Sequence, residues 1–335
     1  MKLPFCQAIA LGLSLSCLSA HEGTHGNTRE KNEAYQPEAA VEVEGGKRVI
    51  QSNGIPNHRT GEFPNRNNPN AIRPQTHRYE VPLQARRLEQ VRDASGMPFG
   101  VALNGVPFDP GTAEIWENNP SWRYEALGNG RNLGLDGNHA HVQPTGAYHY
   151  HGMPTGLLRE LGAKRTQMTL VGWAADGYPI YAGYALKRAE DAASGVVKMK
   201  SSYRVRKGKR PQSPEGPGGS FNGDFVQDYE YVAGLGDLDE CNGRQGVTPE
   251  YPDGTYYYVI TEEFPSVPRY FRGEPDPSFM RRGPRGGQGG PPSEGRGRPH
   301  EHPRHPPERG GRPPHRPGHP DGPGGRPPHD NPPPF

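Results

Sequence analysis

The sequence predicts a mainly β fold: a single antiparallel β-rich domain, sandwich or barrel-like, with one or two short helices and long disordered ends. Short runs rich in Tyr, Val and Ile recur between turn residues from about residue 80 to residue 280, which is typical of strands. Only two short segments have a helical pattern. Because only 31% of the 335 residues are hydrophobic, the whole chain cannot form one packed core, and the deficit lies mainly at the two ends.

Residues 1–20 have the pattern of a secretory signal peptide. Lys2 gives the positive start, residues 8–18 form an apolar run, and Ala20 is a small residue suited to cleavage. The run is too short to span a membrane, so we expect a secreted, periplasmic or cell-surface protein without a transmembrane segment. A lipid anchor at Cys17 is the alternative, although the residues before it lack the leucine usual in lipoprotein signals.

Two further segments precede the expected domain. Residues 21–45 are polar without periodicity and are predicted to be a disordered arm. Residues 46–94 contain a stretch dense in Asn, Pro and Gly, which favours consecutive turns over a helix or a long strand. We expect this turn-rich segment to wrap over a core, anchored by Ile55, Phe63 and Ile72.

The folded domain is expected over residues 95–280. A short helix is predicted at 155–161, ended by Gly162, and a second at 185–193. The apolar runs that predict strands are Phe99–Phe108, Met168–Ala174, Tyr178–Tyr184, Phe225–Val232 and Thr255–Thr261.

Residues 281–335 form a segment dominated by Pro, Gly, Arg and His, and they are predicted to be a disordered tail. This tail holds ten Arg against five acidic residues, so the rest of the chain is slightly acidic although the formal net charge is +2. Because the positive charge is concentrated in the tail, we expect no nucleic-acid partner. The six histidines and ten arginines of the tail also allow weak capture of a metal or a polyanion, but a solvated tail is the simpler interpretation.

Cys241 is the only cysteine that remains after removal of residues 1–20. An intramolecular disulfide is then impossible, and we expect this thiol to be a buried apolar side chain.

Four of the fourteen histidines lie within 13 residues, at His139, His141, His149 and His151. Imidazole is the commonest metal-ligating side chain near neutral pH, so two His-x-His pairs this close together indicate a metal site. The competing interpretation is a polar strand face whose histidines hydrogen-bond carbohydrate or protein. In that case the chain is a non-catalytic extracellular surface or binding module with an unknown ligand.

The segment between the two pairs, residues 143–146, has Pro second and Gly fourth. This predicts a three-residue hairpin loop whose glycine is left-handed. The loop pairs His141 with His149 and His139 with His151, so that all four imidazoles project from one face. The intervening tyrosines then face the core. A two-residue loop would shift the register and put the histidine pairs on opposite faces.

Ligands that are all nitrogen suit zinc or copper, and also iron or nickel, better than magnesium or calcium. Three histidines leave a position for water on the metal, whereas four can close a structural site, or the fourth can support the other three. Candidate supporting carboxylates lie in turn-like motifs, where they also serve as turn residues: Asp136, Asp176, Asp239 and Glu240.

Tyr148-His-Tyr-His151 resembles the signature of the YHYH domain family. The resemblance covers about residues 95–272. Because the biochemical activity of that family is not established, it implies neither catalytic residues nor a reaction, and both zinc-assisted hydrolysis and copper redox chemistry are open. The other motifs that carry the resemblance are Gly105–Phe108, Asp136–His139, Asp176–Tyr181 and Leu238–Gly243.

Overall fold

The structure is a computed structural model that describes residues 35–280. The predicted signal peptide, most of the predicted arm and the predicted tail lie outside the described residues. Within them the chain is mainly β with one α-helix, which confirms the predicted fold class. No helix in this part of the chain is long and apolar enough to span a membrane.

The strands are numbered in chain order. The first ten are β1 Ala39–Glu44, β2 Lys47–Ser52, β3 His77–Pro82, β4 Arg87–Asp93, β5 Gly100–Ala102, β6 Pro107–Phe108, β7 Ile115–Trp116, β8 Asn119–Arg123, β9 Ala140–Val142 and β10 Tyr148–Tyr150. The others are β11 Leu170–Ala174, β12 Pro179–Ala182, β13 Tyr184–Leu186, β14 Val196–Lys198, β15 Tyr203–Val205, β16 Tyr229–Tyr231, β17 Gly243–Gly246, β18 Thr255–Ile260 and β19 Tyr270–Gly273. The helix α1 is Thr155–Glu160, and 3-10 turns lie at Val226–Asp228 and Pro277–Phe279.

The main sheet has eight strands in the order β17-β18-β12-β11-β5-β6-β10-β9. Two of its pairs, β6 with β10 and β12 with β18, are parallel, so the sheet is mixed and not purely antiparallel. Its two ends, β17 and β9, do not meet, so the sheet is open and not a closed barrel.

Both faces of the main sheet carry a hydrophobic core, as strand β18 shows. Tyr256, Tyr258 and Ile260 join the larger cluster, whereas Tyr257 and Val259 join a smaller one on the opposite face. Successive side chains of a strand point to opposite faces, so a strand covered on both sides is a continuous apolar run. This explains the uninterrupted aromatic and β-branched sequence that predicts this strand.

The segment predicted to be turn-rich contributes anchors to the core and contacts the histidine hairpin, but it also contains the strands β2, β3 and β4, which the prediction of consecutive turns missed. Ile55 and Phe63 are buried, at 5% and 6% exposure, and Ile72 is half-buried against the same core. The side-chain amides of Asn68 and Asn70 both donate to the carbonyl of Val142, at 3.0 and 2.8 Å. These two hydrogen bonds attach the turn-rich segment to β9, the edge strand of the main sheet.

Two expectations for local structure need correction. Ala39–Glu44, within the segment predicted to be a disordered arm, forms β1 and pairs along its whole length with β2. The helix predicted at 185–193 is wrong, because Tyr184–Leu186 is strand β13, paired with β14. The Asp191 carboxylate accepts from the backbone N–H of Ala193 and from Arg188, and such local bonds favour turns over a helix. The other predicted helix is confirmed as α1.

Candidate metal centre

Strands β9 and β10 form the predicted hairpin. Val142 pairs with Tyr148, and His141 with His149. At its tip the Gln143 N–H donates to the Ala147 carbonyl at 2.9 Å, and the N–H of Gly146, which has a φ of +91°, donates to the Gln143 carbonyl at 2.8 Å. The three-residue loop, its left-handed glycine and the register of the two strands are therefore as predicted.

Three imidazoles meet on one face of this hairpin. The Nε2 atom of His151 lies 2.9 Å from Nε2 of His149 and 3.0 Å from Nε2 of His141. One nitrogen from each ring lies within 4.8 Å of the others. His149 and His151 are each only 2% exposed, and His141 is half-buried. We call these three residues the histidine triad.

Backbone carbonyls orient two of the rings. Nδ1 of His141 lies 2.9 Å from the Leu133 carbonyl, and Nδ1 of His149 lies 3.2 Å from the Ala147 carbonyl. A carbonyl can only accept, so Nδ1 carries the proton and Nε2 presents its lone pair to the centre of the triad. Metal-bound histidines in proteins are held by hydrogen bonds of this kind.

His151 lies between the other two rings. Burial is the main effect that lowers its pKa well below 6.5, and the neighbouring His149 and His141 rings and Arg269 add to it. The ring is therefore neutral at physiological pH. The Nε2 lone pairs of the three rings would repel one another at 2.9 and 3.0 Å unless a proton or a cation lies between them. One proton on Nε2 of His151 can be donated to one neighbouring ring or shared between the two. A metal ion at this position would instead take all three nitrogens as ligands, and tetrahedral zinc spaces its nitrogens about 3.3 Å apart, slightly more than the two contacts of His151.

The structure brings three of the four candidate histidines together and leaves His139 apart. Its carbonyl accepts from the His151 N–H at 2.7 Å, as the predicted pairing requires. However, His139 has a φ of +52° and lies before the first residue of β9, so it leaves the pleat of the strand. Its Nδ1 instead lies 2.9 Å from the Met153 carbonyl. The candidate ligand set is therefore revised to the triad.

The triad lines a cleft of about 820 Å³. Four arginines and three acidic residues share its wall, together with the rings of Tyr203, Tyr229 and Tyr270. An ion at the triad would therefore be reached by small molecules from this side. The charged wall residues are Arg66, Arg123, Arg131, Arg269, Asp93, Asp109 and Glu114.

None of the four carboxylates proposed from sequence is among the residues that line this cleft. Asp136 accepts from the Tyr148 hydroxyl at 2.7 Å and thus lies on the tyrosine face of the hairpin. Asp176 accepts from the Tyr258 hydroxyl, and Asp239 accepts from Arg272 at 2.8 Å. Glu240 contacts the same arginine at 3.4 Å. These residues stabilise turns and the core, and the structure does not place them around the triad.

Sequence reasoning missed two charged residues that share the cleft with the triad. Asp109 is 5% exposed, and its N–H donates to the Tyr150 carbonyl at 2.8 Å. It directly follows the Gly105–Phe108 motif, a signal that was available in the sequence. Arg269, whose charge acts on His151, pairs with Glu125 at 2.6 Å. No sequence signal identifies that arginine.

The comparison with known proteins decides the family. A family model described as YHYH protein matches residues 78–273, more than half of the chain. The chain belongs to the YHYH protein family. The match begins within β3, earlier than the motifs indicated. No curated protein and no solved structure matches the chain.

The YHYH signature separates its residues by face. Its two histidines contribute to the triad, whereas its two tyrosines are buried in the larger core. The Tyr150 hydroxyl accepts from the side-chain amide of Asn104 at 2.9 Å and contacts His58 Nε2 at 2.5 Å. Because successive side chains of a strand point to opposite faces, the tyrosines of this motif anchor the hairpin in the core while its histidines present nitrogen ligands on the other face.

Gly146→Ala is expected to destabilise this YHYH chain by about 1–2 kcal/mol, because a left-handed conformation costs that much for a residue with a Cβ. The new Cβ would also lie 2.6 Å from Cβ of Arg73. Urea unfolding measures the change. The matched control is Gly137→Ala in the neighbouring turn, where an added Cβ meets nothing within 4 Å. Equal stability of the two variants would contradict this account of the loop.

The buried Asp176 predicts an unusual pH dependence of stability. Its Oδ2 accepts from the Tyr258 hydroxyl at 2.5 Å and from the Gly273 N–H at 2.8 Å. Burial nevertheless raises the pKa of Asp176 from 3.8 to about 6. Between these values the folded chain keeps a proton that the unfolded chain loses, so this carboxyl makes stability fall as pH rises.

Asp176→Asn removes that effect. The free energy of unfolding of the variant, relative to the unmodified chain, is expected to rise by about 2.4 kcal/mol from pH 4 to pH 7, since each unit of pKa shift corresponds to about 1.4 kcal/mol and the unfolded carboxyl is already more than half ionised at pH 4. Urea unfolding at the two pH values measures it. A stability difference that is the same at both would show that Asp176 ionises normally.

Proposed function

We propose that this YHYH-family protein is exported and binds a transition-metal ion, zinc or copper, through His141, His149 and His151. The observation that carries the proposal is the convergence of three Nε2 atoms on one point, with contacts of 2.9 and 3.0 Å. Nitrogen donors favour these metals over magnesium or calcium. Export rests on the signal-peptide pattern of residues 1–20.

Three protein ligands would leave a coordination position free, and all three line the cleft. A metal ion held in this way would supply either an activated water for hydrolysis or a redox centre. The chain itself supplies the ligand orientation, through the carbonyls of Leu133 and Ala147. It also supplies a charged wall in which Asp109 and Arg269 are the candidates to contact a bound molecule. The class of reaction is open between hydrolysis and redox chemistry.

The second candidate function is a non-catalytic binding module without metal. It is supported by the same short contacts, because a proton on Nε2 of His151 that is shared between the neighbouring rings also accounts for them. In that case the polar cleft binds carbohydrate or protein through hydrogen bonds from the triad and its wall.

Metal analysis of protein produced without a His tag separates these functions. The unmodified chain is expected to retain about one ion per molecule after dialysis, as a single triad site requires, and His149→Ala/His151→Ala is expected to retain none. A variant that lacks residues 281–335 controls for the tail histidines and is expected to keep the ion. Equal metal content in the unmodified chain and the double variant would exclude the metal function.

A further inference from the structure

We infer that the cleft binds an anionic oxygen group, a carboxylate or a phosphate, between the free coordination position of the triad-bound ion and the guanidinium of Arg269. The inference rests on the proposed metal function and adds a class of ligand to it.

Arg269 is fixed in the cleft wall. Its side chain is 13% exposed, and its NH2 group donates to Oε2 of Glu125 at 2.6 Å. Its guanidinium carbon lies 5.2 Å from the centre of the Phe264 ring, and that ring is stacked on Tyr229 at 3.8 Å. A cation held on two sides needs little reordering when a ligand arrives, so it is a suitable anion receptor.

The guanidinium also retains unused hydrogen-bonding capacity. Its Nε atom is buried and donates to no acceptor in the described part of the chain. A guanidinium has five N–H donors, which suit the paired oxygens of a carboxylate or a phosphate. That buried Nε is out of a ligand's reach, so the donors that the guanidinium offers to the cleft are its other N–H groups.

The charge of the wall favours the same class of ligand. Four arginines and three acidic residues line the cleft, so a divalent ion at the triad would bring the formal charge to +3. Arg269 and the three triad histidines line the same cleft. The inferred anion contacts both the ion and the guanidinium in that shared space.

The test uses the full chain loaded with cobalt(II), whose visible absorption reports changes in its ligands. Inorganic phosphate and acetate are titrated separately, which distinguishes phosphate from carboxylate binding. At least one of them is expected to change the cobalt spectrum. Arg269→Gln is expected to weaken that binding by at least about tenfold, since charged hydrogen bonds to a desolvated anion are lost.

Arg272→Gln is the matched control. This arginine is 12% exposed and pairs with Asp239 at 2.8 Å, but it does not line the cleft. Its variant is expected to bind the anion as the unmodified chain does. Because Arg269→Gln leaves Glu125 buried without its partner, the double variant Glu125→Gln/Arg269→Gln is measured as well, and the same loss of affinity is expected.

Two results would overturn the inference while leaving the metal function intact. One is a cobalt-loaded protein whose spectrum responds to neither anion. The other is equal anion affinity in Arg272→Gln and in both Arg269 variants. Cobalt content, determined first on every sample, identifies the separate case in which no ion binds and the proposed function itself fails.

Discussion

Asp228→Ala is expected to lower the free energy of unfolding by about 3–5 kcal/mol, the usual result of removing one partner from a buried ion pair. The Asp228 side chain is fully buried, and its carboxylate accepts from Nε of Arg210 at 2.7 Å and from NH2 of the same residue at 2.5 Å. It also accepts from the Gly223 N–H at 2.9 Å. The alanine variant would leave Arg210, which is 7% exposed, with only the more distant carboxylate of Asp224, at 4.0 Å, as a counter-charge.

The stabilisation by Asp228 has a defined pH range. Burial acts to raise the pKa of Asp228, but hydrogen bonds from Arg210 and from the backbone outweigh it, so the pKa is lowered overall. The contribution is therefore present above the ordinary pKa of aspartate and is lost as the pH falls through the lowered value. Urea unfolding at neutral pH measures the effect.

Glu230→Ala provides the control for this prediction. Glu230 lies two residues after Asp228 and pairs with Arg204 at 2.9 Å across strands β15 and β16, but their side chains are 34% and 47% exposed. Exposed pairs contribute little, so a loss below about 1 kcal/mol is expected. Similar losses in Asp228→Ala and Glu230→Ala would show that the buried pair of Asp228 and Arg210 contributes no more to stability than an exposed pair.

His151→Ala is expected to weaken zinc binding by at least about 100-fold, because residues that only support metal ligands already account for 10- to 100-fold effects. His139→Ala is expected to bind zinc as the unmodified chain does, since the His139 ring lies beside the Met153 carbonyl and outside the triad. Calorimetric titration of both variants, each also lacking residues 281–335, measures the difference. A comparable loss of zinc affinity in the two variants would show that His139 is also a ligand.

The hairpin could be predicted from sequence because its signals are local. Pro144 and Gly146 select the loop, and the loop fixes which residues face each other across β9 and β10. The position of His139 could not be predicted in the same way. In the turn that begins at Asp136, the His139 N–H donates to the Asp136 carbonyl, and His139 takes a left-handed conformation that few non-glycine residues adopt.

The surroundings of the triad depend on tertiary structure. Asp109 reaches the cleft because β6 runs parallel to β10, a pairing between strands distant in sequence. Arg269 comes from the segment after β18, at the far end of the domain sequence. Turn chemistry identifies Asp136, Asp176 and Asp239 as polar positions, but it does not show which of them face the histidines.

X-ray absorption spectroscopy of the zinc-loaded chain lacking residues 281–335 tests the central claim most directly. We expect three imidazole nitrogens at about 2.0–2.1 Å and one further ligand that is not imidazole, as an open three-histidine site requires. The same spectrum is expected from His139→Ala. A fourth imidazole that disappears in His139→Ala, or a zinc ion without imidazole ligands, would contradict the three-histidine centre.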